Sequence, residues 1–560
     1  MAYSAQPDSF VRDRLPAQQD MPLLMLDAPG LQFPDRINLV QELFDRALRG
    51  GFGAHLMLRS DRLSLSYAQA SAQVNRLAQV LVQDCGLIPG NRVLLRGGNS
   101  IAMALAWLAV VKAGMVAVAT MPMLRAKELG EVINKARPAL ALCDAALLQE
   151  LQLARAQSPE PLAILRFNAR AAAVATSDAD GAAVAEQADE VATLEALAAA
   201  KEAVFSACPT AATDIALLAF TSGTTGKPKA AAHTHRDLLA ACETWPRHVL
   251  RATPHDIVMG SPPLAFTFGL GGLLVFPMWA KASVYYPDIS YTPQAMAELM
   301  YSSGATICYT APTFYRQMAP FMRALRAERG PPPLRICVSA GEGLADATRQ
   351  LWKDASGIEM LDGIGATEMF HIFISSTPQE VRCGAIGKVV PGYVAKVVDD
   401  SGAELPRGTV GKLAVVGPTG CKYMEDPRQC VYVRAGWNFP GDAFFQDPDG
   451  YFFYQARTDD MIITSGYNVG APEVEDALLS HPAVSECAVI GKADDQRGML
   501  VKAFCVLRPG YAGDAAMVSS LQEHVKAAIA PYKYPREIGF LDRLPRTETG
   551  KLQRFKLKNA

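Results

Sequence analysis

The chain has 560 residues, of which 50 % are hydrophobic, 8 % aromatic and 20 % charged. At about 150 residues per domain this length predicts several structural units, and the apolar content excludes an intrinsically disordered chain. Lys and Arg number 54 against 56 Asp and Glu, which gives a net charge of −2. This balance supplies no basic field toward nucleic acid or an anionic membrane, so neither is expected as a partner.

Residues 1–160 alternate helical and strand-like patterns, which predicts a mostly parallel sheet covered by helices. Helices are predicted at 66–83 and 101–113, and strands at 91–95 and 116–120. The apolar run 101–124 is interrupted by Lys112 and Gly114, so we expect a buried helix and a strand there and no membrane span. Residues 168–212 are rich in Ala and predict a surface helix or an insertion.

The alternation of strand and helix resumes at Asp214 and continues almost to residue 388. The predicted elements are strands at 215–220, 335–339 and 359–361 and a helix at 236–244. Short runs such as 395–398 and 412–416 then predict a β-rich part over about 388–458. The C-terminal part predicts a separate α+β unit with helices at 472–480 and 518–528 and strands at 488–490 and 503–507. The predicted fold class is therefore α/β.

Eleven cysteines are scattered along the chain, with no Cys-x-x-Cys pair and no His set at metal-ligand spacing. The N-terminal segment is polar and has no apolar core of a secretory leader. We therefore expect a cytoplasmic protein whose thiols are reduced and mostly fill its core.

The sharpest local pattern follows the predicted strand 215–220 directly. It consists of Thr221, Ser222, Gly223, Thr224, Thr225, Gly226, Lys227, Pro228 and Lys229. Glycines let backbone N–H groups approach an anion, hydroxyls add donors, and lysines add positive charge, so the segment suits a polyphosphate. It departs from a Walker A loop because Pro228 follows the lysine. The alternative is a polar surface loop, which the density of these residues after a buried strand disfavours.

The loop TSGTTGKPK resembles the signature of the adenylate-forming superfamily: acyl- and aryl-CoA synthetases, adenylation domains and firefly-type luciferases. Further segments match in order, namely GATE at 365–368, Gly441-Asp442, RTDDMI at 457–462 and PRTETGK at 545–551. The resemblance implies that a carboxylate attacks the α-phosphate of ATP, releasing pyrophosphate and leaving an acyl-adenylate. The thiol of coenzyme A then displaces AMP. ATP, Mg²⁺ and coenzyme A are the implied ligands.

The resemblance also implies where the nucleotide and its metal bind. The loop residues Thr221, Ser222, Gly223, Thr224, Thr225, Gly226 and Lys229 would hold the β- and γ-phosphates. Thr367 would contact the α-phosphate, and Glu368 the Mg²⁺, a cation that prefers carboxylate and phosphate oxygens. Asp442 would hold the ribose hydroxyls, and Arg457, Asp362 and Gly363 would complete the nucleotide site.

Lys551 is the implied adenylation catalyst, bridging the substrate carboxylate and the α-phosphate beside the conformationally free Gly550. Asp459 is the implied hinge, which divides the chain into an N-terminal domain over 1–458 and a mobile C-terminal domain over 459–560. After adenylation this domain would rotate, withdraw Lys551 and present Gly466 and Tyr467 to the thiol. Many relatives carry Arg or Lys where this chain has Asn468, which leaves open the contact to the nucleotide portion of coenzyme A.

The acid pocket is predicted to be a flat apolar slot suited to an aromatic ring. Its candidate residues are Phe266, Ala340, Gly341, Ile364, Gly365 and His371. The string DGIGATEMFHIF over 362–373 resembles the benzoate-type aryl-CoA ligases, including those for aminobenzoates and hydroxybenzoates. His371, placed one helical turn beyond Glu368, is expected to touch a ring substituent or the carboxylate, with a purely structural histidine as the alternative. His233 and His235 are interpreted as structural.

We therefore predict an ATP-dependent aryl-CoA ligase for benzoate or 2-aminobenzoate. Its partners are an aromatic carboxylate, ATP and coenzyme A, and a homodimer is left open. The alternatives are a synthetase for another carboxylic acid, a stand-alone adenylation enzyme that loads a carrier protein, and a small-molecule kinase releasing ADP. A non-catalytic nucleotide-binding protein is disfavoured because Glu368, Asp442 and Lys551 are present together.

Overall fold

A computed structural model describes residues 3–168, 193–221, 228–289, 291–457, 460–464, 467–494, 498–546 and 552–558. Within these ranges the strands form four sheets. Two large sheets and one β-rich sheet occupy the N-terminal part, and the fourth lies in the C-terminal part. The α/β class predicted from the sequence is confirmed.

The first large sheet has six strands, all parallel except the last pair. Its order in space is Ala163–Phe167, Leu140–Asp144, Arg92–Arg96, Val116–Thr120, Ile215–Thr221 and Lys229–Thr234. The antiparallel pair is closed by the predicted phosphate loop, and Thr221 lies opposite Lys229 in its register. The two ends of the loop are thereby fixed on neighbouring strands.

The second large sheet has nine strands, with a parallel centre and antiparallel edges. The order is Lys388–Val389, Ile372–Ser375, Met360–Gly365, Ile336–Ser339, Ile307–Thr310, Ile257–Gly260, Ser283–Tyr285, Leu56–Arg59 and Ser64–Ser66. Ligands of open α/β sheets bind beyond the carboxyl ends of parallel strands. Ala340 and Gly341 follow Ser339, and Ile364 and Gly365 end the strand Met360–Gly365, so these predicted pocket residues share that edge.

Several helices that cover these sheets are amphipathic, such as Leu39–Arg49, and Ile101–Lys112 is almost entirely buried. The helices up to residue 242 are Leu39–Arg49, Tyr67–Gln79, Ile101–Lys112, Ala126–Ala136, Leu148–Gln157, Leu194–Ala199 and His235–Cys242. Those from residue 267 to 432 are Thr267–Leu270, Phe276–Ala280, Pro293–Ser302, Pro312–Arg329, Asp346–Ser356 and Gln429–Tyr432. Three single π-turns interrupt them, at Val80–Asp84, Pro246–Leu250 and Gly271–Val275.

The apolar run that raised the membrane question forms the buried helix Ile101–Lys112 and the strand Val116–Thr120. Ser100 begins this helix by accepting a hydrogen bond from the Met103 backbone N–H at 3.2 Å, as N-cap serines do. No helix within the described ranges is long and apolar enough to cross a membrane. Of the Ala-rich segment, residues 169–192 lie outside the described residues, and Leu194–Ala199 is a short helix.

The β-rich sheet begins at residue 394, close to the predicted 388. Its strands are Val394–Val398, Gly411–Val416, Val433–Arg434, Trp437–Asn438, Asp442–Gln446 and Phe452–Arg457. Antiparallel pairing places Asp442 directly opposite Arg457. The register therefore brings together two residues that the sequence had assigned separately to the nucleotide.

The C-terminal part has its own sheet and its own core. The strands are Ile462–Thr464, Tyr467–Val469, Val484–Asp494, Gly498–Leu507 and Glu537–Phe540, and the helices are Ala471–Leu479, Ala515–Ala528 and Arg554–Lys558. Val474, Leu478, Val501 and Leu521 are fully buried in this separate core. The small α+β unit is thus confirmed, whereas the boundary at 458 and 459 stays a prediction because both residues lie outside the described ranges.

Candidate active site

The GATE segment follows the strand Met360–Gly365 and forms a tight 3-10 turn over Thr367–Met369. The carbonyl groups of this turn are held from two sides. His233 Nε2 bonds the Thr367 carbonyl oxygen at 2.8 Å, and Thr419 Oγ1 donates to the Met369 carbonyl at 2.8 Å. Burial lowers the pKa of His233 to about 4, so the ring is neutral and its Nε2 carries the proton for this bond. His233 is structural, as predicted, and what it positions is the turn that carries Glu368.

Glu368 is buried, and its carboxylate accepts a hydrogen bond from the Tyr423 hydroxyl. Lys229 Nζ donates to the same hydroxyl at 3.1 Å and lies 5.0 Å from the centre of the Tyr423 ring. Burial raises the pKa of this phenol well above its usual range, so the hydroxyl keeps its proton. A predicted phosphate ligand and the predicted metal ligand are therefore joined through a tyrosine that the sequence analysis did not identify.

The donor set at Glu368 fits a magnesium ion carried by a nucleotide. The described residues contain no group of three or more His, Cys, Asp or Glu side chains that could hold a metal ion. Mg²⁺ is commonly bound through one or two carboxylates together with substrate phosphates, and a single buried carboxylate beside a phosphate lysine suits that mode. Glu368 would hold the ion, with the polyphosphate supplying further oxygens.

Asp442 and Arg457 form an ion pair of 3.1 Å, and Arg457 also donates to the Pro440 carbonyl at 2.9 Å. Burial raises the pKa of Asp442, and the neighbouring guanidinium opposes this rise. Gly441 has a φ of +85°, and a Cβ there would come within 3.0 Å of Arg457. The left-handed turn therefore favours glycine, and a side chain there would require the Arg457 guanidinium to shift.

Asp362 and Gly363 lie inside the strand Met360–Gly365, beside Ser339 of the neighbouring strand. Burial raises the pKa of Asp362 to about 7, which leaves the carboxyl group largely uncharged below neutrality. Its Oδ1 accepts from the Gly363 backbone N–H at 2.9 Å, and Ser375 Oγ donates to its carbonyl at 2.6 Å. Asp362 is thus a buried polar group on the strand Met360–Gly365, and its part in nucleotide binding stays a prediction.

The predicted acid-pocket residues gather at the shared edge of the nine-stranded sheet. Phe266 and Ile364 are partly buried against the main core, and Ala340 is buried. Gly341 has a φ of +91°, and Gly365 packs so tightly that a Cβ would lie 2.6 Å from the His371 carbonyl oxygen. Of the predicted pocket residues, Gly365 and His371 are therefore in close contact through their backbones.

His371 does not lie one helical turn beyond Glu368, and that premise was wrong. The chain leaves the turn through Phe370, whose φ of +70° ends the helical geometry, and His371 leads directly into the strand Ile372–Ser375. The imidazole is buried beside Trp245 and Phe276, with ring centres 5.3 and 4.6 Å apart. Burial lowers its pKa to about 3, so the ring is neutral.

Several predicted site residues lie outside the described residues. They are Ser222, Gly223, Thr224, Thr225, Gly226, Asp459, Gly466 and Lys551. Tyr467 begins the strand Tyr467–Val469, of which the backbone is described at this position. The roles of these residues stay predictions.

Arg546 precedes the lysine loop and contacts both parts of the chain. It pairs with Glu342 at 3.1 Å, directly after the pocket residues Ala340 and Gly341, and with Glu486 at 2.8 Å. Arg316 adds a bond of 3.0 Å to the Ser485 carbonyl. The C-terminal part is thereby attached beside the predicted acid pocket.

Comparison with known proteins was made with both the sequence and the structure. The model of the AMP-binding enzyme family matches residues 33–423, and that of the AMP-binding enzyme C-terminal domain matches 473–551. The chain belongs to the AMP-binding enzyme family. The resemblance to the adenylate-forming superfamily is confirmed, as is a large N-terminal domain followed by a small C-terminal one.

Two curated members of the AMP-binding family align over nearly their whole length. The benzoate–CoA ligase of Thauera aromatica is 35% identical over 537 residues, which cover 95% of this chain and 98% of the relative. The 4-hydroxybenzoate–CoA/benzoate–CoA ligase of Rhodopseudomonas palustris is 32% identical, with 93% of this chain and 94% of the relative covered.

Solved structures of the family agree with the fold. An anthranilate CoA ligase in complex with anthranoyl-AMP superposes with a TM-score of 0.86 at 30% identity, covering 95% of this chain and 98% of that structure. A benzoate CoA ligase from Burkholderia xenovorans gives a TM-score of 0.81 at 29% identity, covering 93% and 100%.

Proposed function

We propose that this enzyme is an ATP-dependent aryl-CoA ligase, which joins an aromatic carboxylate to coenzyme A through an aryl-adenylate. The observation that carries the proposal is the contact of Lys229, Tyr423 and Glu368. The turn that carries Glu368 leads through Phe370 to His371, whose ring packs against Phe276. Relatives aligned along the whole chain are named CoA ligases for benzoate and hydroxybenzoate, which supports the acid–thiol ligase class.

In the first half-reaction the carboxylate oxygen of the acid attacks the α-phosphorus of ATP, and the bond to pyrophosphate breaks. Mg²⁺, when bound with ATP, would neutralise charge on the phosphate oxygens. Lys229 stabilises the polyphosphate, Thr367 contacts the α-phosphate, and Tyr423 keeps the Glu368 carboxylate in place. Positioning and charge stabilisation of this kind supply most of the catalysis in phosphoryl chemistry.

The nucleoside is held on the opposite side of the site by the ion pair of Asp442 and Arg457. With Arg457 oriented by the Pro440 carbonyl, the Asp442 carboxylate keeps acceptor capacity for ribose hydroxyls. Lys551 acts at the attacking carboxylate in this proposal. The presence of Arg546 beside Glu342 supports an approach of the lysine loop from this direction.

In the second half-reaction the thiol sulfur of coenzyme A attacks the carbonyl carbon of the adenylate, and AMP leaves with the bonding electrons. The proposal assigns presentation of the thiol to the segment of Gly466 and Tyr467, after rotation of the C-terminal domain about Asp459. Benzoate or 2-aminobenzoate is the proposed acid, as suits the aromatic surroundings of His371.

The proposal includes a cytoplasmic location, which the eleven unpaired cysteines support. A homodimer stays a prediction, for which light scattering after size-exclusion chromatography is the test.

A pyrophosphate-release screen tests the function. The acids are benzoate, 2-aminobenzoate, the hydroxybenzoates, phenylacetate and medium-chain fatty acids, each with and without coenzyme A. We expect release of AMP and pyrophosphate, and of an aryl-CoA when coenzyme A is present. Preference for a fatty acid would overturn the aryl assignment, ADP as product would indicate a kinase, and transfer to a carrier protein in place of coenzyme A would indicate a loading enzyme.

A further inference from the structure

Five rings form a compact cluster behind the predicted acid pocket, and we call Trp245, Phe268, Phe276, Tyr309 and His371 the ring cluster. Neighbouring ring centres are 4.6 to 6.3 Å apart, as in other aromatic clusters of protein interiors. Trp245, Tyr309 and His371 carry polar atoms, so the ring cluster contains hydrogen-bonding groups among its apolar ring surfaces.

Two polar atoms of the ring cluster, Trp245 Nε1 and the Tyr309 hydroxyl, are buried without a hydrogen-bond partner among the described residues. The buried His371 ring bonds at most the Phe268 backbone, which leaves one of its nitrogens unpaired. Trp245 and Tyr309 are 0% exposed and His371 is 5% exposed. A buried polar group left without a hydrogen-bond partner costs about 1–3 kcal/mol of stability, and about 90% or more of all buried polar groups in proteins have a partner. Three unpaired polar atoms in one cluster therefore call for a ligand group or water.

Two other buried tyrosines of the N-terminal part, Tyr315 and Tyr67, are paired through their hydroxyls. The Tyr315 hydroxyl donates to the Cys308 carbonyl at 2.8 Å, and the Tyr67 hydroxyl donates to the Ala282 carbonyl at 2.9 Å. Tyr309 lies on the same strand as Cys308. The Tyr309 hydroxyl differs from these two and shares the lack of a partner among the described residues with the Tyr291 and Tyr432 hydroxyls.

The ring cluster is continuous with the predicted acid pocket. Phe268 lies two residues beyond Phe266, and the Gly365 backbone packs on the His371 carbonyl. On the far side a Cβ at Gly271 would lie 2.7 Å from the His371 ring, and one at Gly272 would lie 2.7 Å from the Tyr309 ring. Because Gly271 and Gly272 lack side chains, the His371 and Tyr309 rings pack directly on the backbone of the π-turn, next to the predicted acid pocket.

We infer that the aromatic acid taken by this enzyme carries an amino or hydroxyl group on its ring, and that Trp245, Tyr309 and His371 recognise that group. The inference rests on the proposed function and makes it narrower. Trp245 can only donate, whereas Tyr309 and a neutral His371 can each donate and accept. An amino or hydroxyl substituent likewise offers both a donor and an acceptor, and an unsubstituted ring would leave the buried atoms unpaired.

The inference predicts discrimination against benzoate. A site built to bond a substrate hydroxyl or amino group rejects the analogue that lacks it more strongly than a purely apolar pocket rejects an added group. We therefore expect kcat/KM for at least one of 2-aminobenzoate, 2-, 3- and 4-hydroxybenzoate to exceed that for benzoate by at least about tenfold. The individual acids separate an amino from a hydroxyl group and locate it on the ring.

The test compares this kcat/KM ratio between the full-length enzyme and Tyr309→Phe, Trp245→Phe and His371→Phe. Tyr309→Phe removes an unpaired hydroxyl without changing the ring, so we expect a folded enzyme whose ratio falls about tenfold toward unity. Tyr315→Phe is the matched control, because its hydroxyl is already bonded to the Cys308 carbonyl. It is expected to lower the melting temperature and to leave the ratio unchanged.

The outcomes separate the inference from the proposed function. If benzoate is adenylated as efficiently as every substituted acid, or if all three variants keep the wild-type ratio, the inference is overturned and the ligase activity stands. If no aromatic acid of the panel releases pyrophosphate, the proposed function itself fails. A fall in the ratio in Tyr309→Phe but not in Tyr315→Phe supports the inference.

Discussion

The Tyr423 hydroxyl donates a hydrogen bond to the Glu368 carboxylate across 55 residues of sequence. Lys229 bonds the same hydroxyl at 3.1 Å, so one phenol connects the phosphate loop to the proposed metal ligand. Tyr423 therefore orients the Glu368 carboxylate in the proposed nucleotide site.

Tyr423→Phe is expected to lower kcat/KM for pyrophosphate release by about tenfold and to raise the Mg²⁺ concentration needed for half-maximal ATP binding. The reason is that the Glu368 carboxylate loses the donor that orients it. Nucleotide binding measured by calorimetry over a Mg²⁺ series gives a readout independent of turnover. Tyr67→Phe is the control, since the Tyr67 hydroxyl donates to the Ala282 carbonyl and contacts none of the predicted nucleotide ligands; equal effects of the two variants would contradict the assignment.

Asp442→Asn is expected to raise KM for ATP by about tenfold while KM for the aromatic acid changes little. The substitution keeps the size of the side chain but removes its charge, so Arg457 loses its ion-pair partner and the ribose loses a charged acceptor. Initial rates with ATP and acid varied separately provide the measurement. A rise confined to the acid would place Asp442 elsewhere in the site.

Asp362→Asn is expected to stabilise the protein at pH 8 relative to wild type, and to do so far less at pH 4. Burial raises the pKa of Asp362 from 3.8 to about 7, so the unfolded state releases its proton at a lower pH than the folded state. The contribution of Asp362 to the free energy of unfolding of the wild type is therefore fully present below pH 3.8 and is lost as the pH rises through about 7. The full difference is about 4 kcal/mol in the free energy of unfolding.

Urea unfolding of wild type and Asp362→Asn at several pH values measures this difference directly. The comparison between variants is needed because two buried histidines change the stability of the protein over an overlapping pH range. The pKa values of His233 and His371 are lowered to about 4 and about 3, so their contributions to the free energy of unfolding are lost as the pH falls. Asp35→Asn, on an exposed side chain, serves as the control. A pH-independent difference would show that Asp362 is ionised throughout.

Lys551→Ala is expected to abolish adenylate formation and to spare thioester formation from a supplied aryl-adenylate. A transition-state contact made only in the first half-reaction explains this split. Pyrophosphate release and thioester formation, measured separately, test it. Lys556→Ala changes an exposed lysine of the same tail and should leave both steps intact; equal loss of both steps in a folded Lys551→Ala enzyme would contradict the role.

Features encoded in local sequence could be predicted. The parallel strands follow from short apolar runs, and the phosphate loop from glycines and hydroxyls directly after one of them. The connection of Tyr423 to Glu368 could not be predicted in this way, because the pairing of distant segments leaves no local pattern. Trp245 and Tyr309 were missed for the same reason, since a buried aromatic residue looks like core until its unpaired polar atom is located.

Phe370 and Met369 are the two residues that separate Glu368, on the metal side of the site, from His371 on the ring side. Phe370 forms the corner between them. Its φ of +70° costs about 1–3 kcal/mol, and its ring is fixed by packing near His233 and Phe276. Glu368 and His371 are therefore mounted on the same stiff corner of backbone. Attempts to redesign the enzyme for a different ring by changing His371 should disturb nucleotide activation as well, so new acid specificities are better sought at Tyr309 or Trp245, which approach the ring cluster from other segments.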